Sequence, residues 1–169
     1  MTYHASAVIN LHREGLLAKP SFNSLFAARD AAAKAGFRVE FIAVADRADA
    51  PTQALLDRLA PQLDQIHLVD FGDLGASRAF GIQKASCDWV FMHDADDLFS
   101  TNWYLAFLER LARDEVDPRT VYHTDLFARF GVETDIRKMI DSNDARFHPL
   151  MLASEWYFSN KAVLHRGLL

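Results

Sequence analysis

Four short apolar runs punctuate the first part of the chain: Ala7-Val8-Ile9-Asn10-Leu11, Val39 to Ala45, Ile66-His67-Leu68-Val69 and Trp89-Val90-Phe91-Met92-His93. Runs of this length suit strands and are too short for helices. Between them lie stretches whose apolar residues recur at helical spacing. The first follows Pro20-Ser21, carries Phe22, Leu25, Phe26 and Arg29, and stops at Gly36. In the second, Asp49 is a cap, Pro51 suits the first turn, and Leu55, Leu56, Leu59 and Leu63 form the inner stripe. A third helix is expected from about Leu74 to Ala85. A fourth, capped by Ser100 or Thr101, carries Trp103, Phe107, Leu108 and Leu111. Strand-helix alternation predicts an α/β fold: a mainly parallel central sheet with right-handed crossovers and flanking helices. Trp89 to Met92 shows no apolar-polar alternation, as expected of a strand covered on both faces.

At 169 residues the chain has the length of one domain with a substantial core. No repeat, low-complexity tract or linker divides it.

Polar clusters follow each run. His12-Arg13 closes the first, Asp46 the second, Asp70-Phe71-Gly72-Asp73 the third, and Asp94-Ala95-Asp96-Asp97 the fourth. In a parallel sheet all four fall on the carboxyl edge, where open α/β sheets bind ligands. Three carboxylates within four residues repel one another; they read either as a solvated acidic turn capping the next helix or, placed directly after a buried strand as here, as a cluster that calls for a compensating cation. Oxygen ligands at this density suit a hard divalent ion, Mg2+ or Mn2+, which often keeps positions open for substrate phosphates. Gly72 and Gly75 at a helix start let backbone approach an anion closely. Arg78 shares a helix face with Ile82 and Ala85, so it points inward. Two readings of it stand: a bridge to an incoming diphosphate, and a structural salt bridge to one of the aspartates.

The formal net charge of −5, with no basic run, argues against nucleic acid as a general partner. The single cysteine, Cys87, excludes an internal disulfide and reads as a packing residue beside a buried strand. No signal-peptide pattern opens the chain, and no apolar stretch approaches the roughly 20 residues of a membrane span. A cytoplasmic setting is expected, with peripheral membrane association left open.

With these residues in place, the sequence resembles the family-2 glycosyltransferases of GT-A fold. Val8-Ile9-Asn10-Leu11-His12-Arg13 looks like that family's opening strand and base-binding loop. Val44-Ala45-Asp46, with Asp49 and Thr52, is similar to its second-strand acid and the helix start after it. Gly75-Ala76-Ser77-Arg78-Ala79-Phe80-Gly81 resembles its Gly-x-x-x-Arg-Asn-x-Gly segment, with Ala79 where asparagine is common. Asp94-Ala95-Asp96 matches its Asp-x-Asp signature. The resemblance covers about residues 6 to 112. It implies transfer of a sugar from a nucleotide-diphosphate donor, usually UDP-linked, to the hydroxyl of a glycan, lipid or other acceptor. It also implies site roles. Asp46 and the His12 loop would contact the nucleobase, and Gly75 and Arg78 would lie beside the diphosphate. Asp94 would bind near ribose and metal, and Asp96 would ligate Mn2+ or Mg2+.

The second half is less regular. Thr120 to His123 is expected as a strand, and Phe127 to Phe130 with Glu133 to Met139 as part of the acceptor side. Leu152 to Lys161 resembles the family's strand ahead of its acidic catalytic residue. No Glu-Asp motif follows, so the expectation is a single domain over 1–169 that lacks its C-terminal part, with the catalytic base unassigned. Glu155 and Asp125 are candidate substitutes. Trp103 and Trp156 are candidate stacking residues, and helical spacing with Phe107 makes Trp103 core. His93 is expected to face away from Asp94 and pack, and His148 to lie in a loop. Two rivals stand beside this reading. One is a catalytically incomplete nucleotide-binding or interaction module of the same fold. The other, a haloacid-dehalogenase-like phosphatase, is disfavoured by Leu98 at a diagnostic position and by the late placement of the acids.

Overall fold

A computed structural model describes residues 3–129, 134–148, 150 and 161–168. The four apolar runs form strands β1 (Ala5–Leu11), β2 (Val39–Asp46), β3 (Gln65–Val69) and β4 (Trp89–Asp94), all in one sheet. β1 pairs in parallel with β2 and β4, and β2 with β3. Four helices intervene or follow: α1 (Ala18–Lys34), α2 (Ala50–Leu59), α3 (Leu74–Lys84) and α4 (Trp103–Ala112). Two short strands complete the sheet, β5 (Tyr122–His123) and β8 (Ala162–His165), giving the order β3-β2-β1-β4-β8-β5. β8 runs antiparallel to β4. A separate antiparallel ribbon joins β6 (Leu126–Arg129) to β7 (Asp135–Lys138).

The sheet sorts its side chains by strand alternation. Ala7, Ile9, Phe41, Ala43 and Phe91 join the larger core with Phe22 and Leu25 of α1, Leu55 of α2, and Tyr104 and Leu108 of α4. Val8, Ile42, Val44, Val90 and Met92 face the other way and pack on Ile82 of α3. Both faces of β1, β2 and β4 are therefore covered, which explains their continuous apolar runs. β3 is an edge strand, and Leu68 there stays 60% exposed. α3 lies close on the sheet because Gly81 has no side chain; a Cβ there would run into Val8.

Local signals set most helix ends. Asp49 Oδ1 accepts from the Thr52 N–H at 3.0 Å and from its hydroxyl at 2.6 Å, the expected cap. α1 ends in a left-handed Gly36 with φ +89°, and the Phe37 N–H reaches back to Ala32 O. Several details depart from expectation. α1 begins before Pro20, at Ala18, because a 3-10 turn over Gly15–Leu17 leads into it and proline is tolerated in a first turn. The α4 cap position is Asn102, with no side-chain cap; Ser100 donates instead to Asn102 Oδ1 at 2.7 Å. Leu63 lies beyond α2, past a 3-10 turn, yet packs on the same core. The strand expected over Thr120–His123 keeps only Tyr122–His123. The segment Leu152 to Asn160, with Glu155 and Trp156, lies outside the described residues, as do Phe130 and Glu133. No described helix is long and apolar enough to cross a membrane.

Candidate functional site

The parallel register brings the segments after β1, β2, β3 and β4 to one edge. They enclose a cleft of about 480 Å³ lined by Asn10, His12, Asp46, Asp73, Asp94 and Asp96, among others. Of the sequence-derived candidates, His12, Asp46, Asp94 and Asp96 thus share one cavity. Arg78 touches its wall through Asp94. Arg13 and Gly75 stand outside the lining: Arg13 Nε donates to Arg47 O at 3.3 Å, and Gly75 lies exposed in the first turn of α3.

Asp46 closes β2 with its carboxylate turned into the following loops. Oδ1 accepts from the N–H groups of Phe71 at 2.8 Å and Gly72 at 3.1 Å. Oδ2 accepts from Asp73 N–H and the Ser77 hydroxyl, each at 3.1 Å. Burial pushes this carboxyl up, but the four donors outweigh it and hold Asp46 below the usual carboxylate range. Gly72 turns the loop at φ +63°, a conformation that L side chains adopt with strain. His12 Nδ1 is 2.6 Å from the Asp46 carbonyl, tying the loop after β1 to the same point.

This geometry corrects one expectation. The loop amides ahead of α3 do not await a phosphate, because they are occupied by the Asp46 carboxylate. At the helix start Asp73 Oδ1 accepts from Ala76 N–H at 2.7 Å, a cap that does not involve the Leu74 and Gly75 N–H groups.

The Asp94 end is neutralised differently. Arg78 Nη2 donates to both Asp94 oxygens, at 2.8 and 2.9 Å, so Arg78 makes the structural salt bridge anticipated for it. Lys161, just ahead of β8, places Nζ 3.0 Å from Asp94 Oδ2 and 2.6 Å from Asp97 Oδ2. Burial raises the Asp94 carboxyl, while Arg78 and Lys161 together pull it below its ordinary value. Asp97 goes the other way, raised by burial and by the neighbouring carboxylates in spite of Lys161. Burial works against the charge on Lys161, and the two aspartates keep it protonated.

Asp96 is exposed on the cleft, and its carboxylate has no hydrogen bond or ion pair to the described residues. No three His, Cys, Asp or Glu side chains among the described residues form a ready-made metal cage. A hard ion here would be held by Asp96 together with substrate phosphates, since Mg2+ is commonly held by one or two carboxylates plus substrate phosphates.

Below the cleft, His93 is 1% exposed and its Nε2 shares a 3.0 Å hydrogen bond with Tyr104 Oη, so it packs rather than ligates. Burial pushes its pKa down to about 3. Cys87 is half-buried, His148 is exposed in a loop, and Asp125 is exposed at a bend. Trp103 packs against the main core and also lines a second cleft of about 350 Å³ with Asp97, Phe99, Phe127 and Lys161.

No local pattern singles out Lys161, because only the antiparallel return of β8 carries it back to the end of β4. A buried acid was also missed. Glu40 accepts from Ser6 Oγ at 2.5 Å, Gln65 Nε2 at 3.0 Å and both N–H and hydroxyl of Ser86 at 2.9 Å. It lies at the opposite edge of the sheet from the cleft. Its signal was a charged residue inside an otherwise apolar run.

A model of glycosyl transferase family 2 matches residues 6–161. No curated protein matches the chain. Among solved structures, S. aureus TarS 1-349 in complex with UDP is similar with a TM-score of 0.70 at 15% identity, over 98% of this chain and 47% of that one. The complex of the same protein with UDP-GlcNAc gives 0.70 at 15% identity, over 98% and 46%. A crystal structure of S. aureus TarS gives 0.67 at 14% identity, over 98% and 29%. The chain thus spans less than half the length of these structures, and at such identities the likeness shows the fold, a GT-A sheet with flanking helices. With the family model covering nearly all of the described sheet, this chain belongs to glycosyl transferase family 2.

Proposed function

We propose that this chain binds a nucleoside diphosphate sugar and, with a divalent metal, serves as a glycosyltransferase acting on a hydroxyl acceptor. The observation that carries this reading is the cleft where the ends of β1, β2 and β4 deliver His12, Asp46, Asp94 and Asp96. Two of the similar TarS structures are described as complexes with UDP and UDP-GlcNAc, which favours a uridine donor here.

In this reading His12 and the loop held by Asp46 form the nucleoside end. Asp46 acts there through the backbone it shapes, since its carboxylate oxygens are already engaged. The diphosphate would lie toward Asp94, where Asp96 would hold a shared Mn2+ or Mg2+ near Arg78. The ion would offset negative charge on the departing diphosphate. Arg78 adds a fixed positive charge at the same end, an electrostatic contribution aimed at the leaving group. Deprotonating the acceptor needs a general base, and Asp125 and Glu155 remain candidates without an assigned role. The acceptor is a glycan, a lipid or another hydroxyl compound. The −5 charge disfavours nucleic acid. A cytoplasmic setting, with or without contact to a membrane surface, is part of the proposal.

Thermal-shift measurements with UDP, UDP-sugars and other nucleotide sugars, each with Mn2+ or Mg2+, test it. A metal-dependent rise in melting temperature with a uridine nucleotide is expected. No shift with any nucleotide would leave the interaction-module reading in its place.

A further inference from the structure

We infer that Lys161 is a built-in counter-cation of the acidic turn, a positioning residue that keeps Asp94 and Asp97 closed to a free divalent ion. An ion is then admitted only when a diphosphate arrives to share it. The inference rests on the proposed function for that second holder, the diphosphate, but not for the competition itself.

The argument is one of charge and geometry. Asp94, Asp96 and Asp97 bring three negative charges into four residues. Arg78 and Lys161 supply two positive ones at ion-pair distance. Lys161 bridges two of the acids, with Nζ 3.0 Å from Asp94 and 2.6 Å from Asp97. Its side chain is 15% exposed, against 18% for Asp94 and 29% for Asp97, so solvent and salt screen these contacts far less than a surface pair. An ion entering between Asp94 and Asp97 must displace the ammonium or lie beside it against its charge. Asp96 alone offers a carboxylate with no partner among the described residues. One carboxylate binds a hard ion weakly; one carboxylate with two phosphate oxygens binds it well. The lysine thus makes ion binding depend on the donor.

The position of Lys161 makes this a long-range device. It precedes β8, whose antiparallel pairing of Val163 with Phe91 returns the chain to the end of β4. Lys161 also lines the second cleft, with Asp97, Phe99 and Trp103, while its partner Asp94 lines the first.

Mn2+ binding measured by electron paramagnetic resonance without nucleotide is the test. Lys161→Gln should bind Mn2+ at least about tenfold more tightly than wild type, the size of a modest coupling between charged sites. Lys161→Arg, which keeps the charge, should bind as wild type does. Adding Asp94→Asn to Lys161→Gln should abolish the gain, showing that the freed carboxylate is the ligand. A folded Lys161→Gln that binds Mn2+ no more tightly than wild type overturns the inference. The wild type carries an arm that no folding defect can spoil: UDP should raise its Mn2+ affinity at least about tenfold. Tight Mn2+ binding by wild type alone, unchanged by a UDP shown to bind, also overturns it. Failure of UDP to bind under any condition would sink the nucleotide reading, while the Lys161→Gln arm would still decide the competition.

Discussion

The two ends of the cleft satisfy their carboxylates by opposite means. Asp46 is held by three backbone N–H groups and a serine hydroxyl, donors that cannot leave without unravelling the loop ahead of α3. Asp94 is held by Arg78 and Lys161, long side chains that can swing away. Backbone donors make a rigid, preformed wall, whereas side-chain cations make one that can exchange partners when a charged ligand enters. A cleft built this way is shaped in advance at one end and adjustable at the other.

The largest expected effect tests the rigid end. Asp46→Ala strands three loop N–H groups and should cost about 3 kcal/mol of unfolding free energy in urea titration. Asp46→Asn, with one acceptor oxygen left, should recover part of that. A loss under about 1 kcal/mol for Asp46→Ala would show that the loop does not depend on the carboxylate.

Acid separates the two ends further. His93, beneath the Asp94 end, has its pKa lowered to about 3 from the ordinary 6.5. The unfolded chain therefore binds the proton first, and stability falls as pH drops below about 6.5, by up to about 1.4 kcal/mol per unit. Asp46 is a depressed carboxylate, so its contribution is intact above the ordinary carboxylate range and is lost only as pH falls through its folded value. His93→Gln should flatten the profile between pH 6.5 and 5, and Asp46→Asn should leave that slope alone. An unchanged slope in His93→Gln would remove the histidine from the account.

Arg78→Met sharpens the adjustable end. Lys161 remains on Asp94, so the loss should be about 1 kcal/mol, well under that of Asp46→Ala. A cost equal to that of Asp46→Ala would contradict the contrast between the two ends.

The same contrast explains what could be read from sequence. Apolar runs and helical stripes are local patterns, and they delivered β1 to β4, α2 and α3, the Asp49 cap and the Gly36 stop. The shared edge follows from parallel topology, which alone places Asp46 near Asp94. What Asp46 binds was not legible, because backbone donors carry no sequence signature of their own. Lys161 was hidden for another reason: its partners lie more than sixty positions earlier, across an antiparallel return that no periodicity announces. The misplaced α4 cap is a smaller case, in which Ser100 spends its hydroxyl on Asn102 rather than on the helix.

Asp96 carries the smallest expected stability effect and the most direct test of the account. Its carboxylate is exposed and makes no hydrogen bond or ion pair with the described residues, so Asp96→Asn should fold within about 0.5 kcal/mol of wild type. Calorimetric titration of UDP into both proteins in the presence of Mn2+ then isolates its role. The account predicts saturable binding to wild type and a loss of at least about tenfold in affinity for Asp96→Asn. Equal UDP affinity in the two proteins would contradict it.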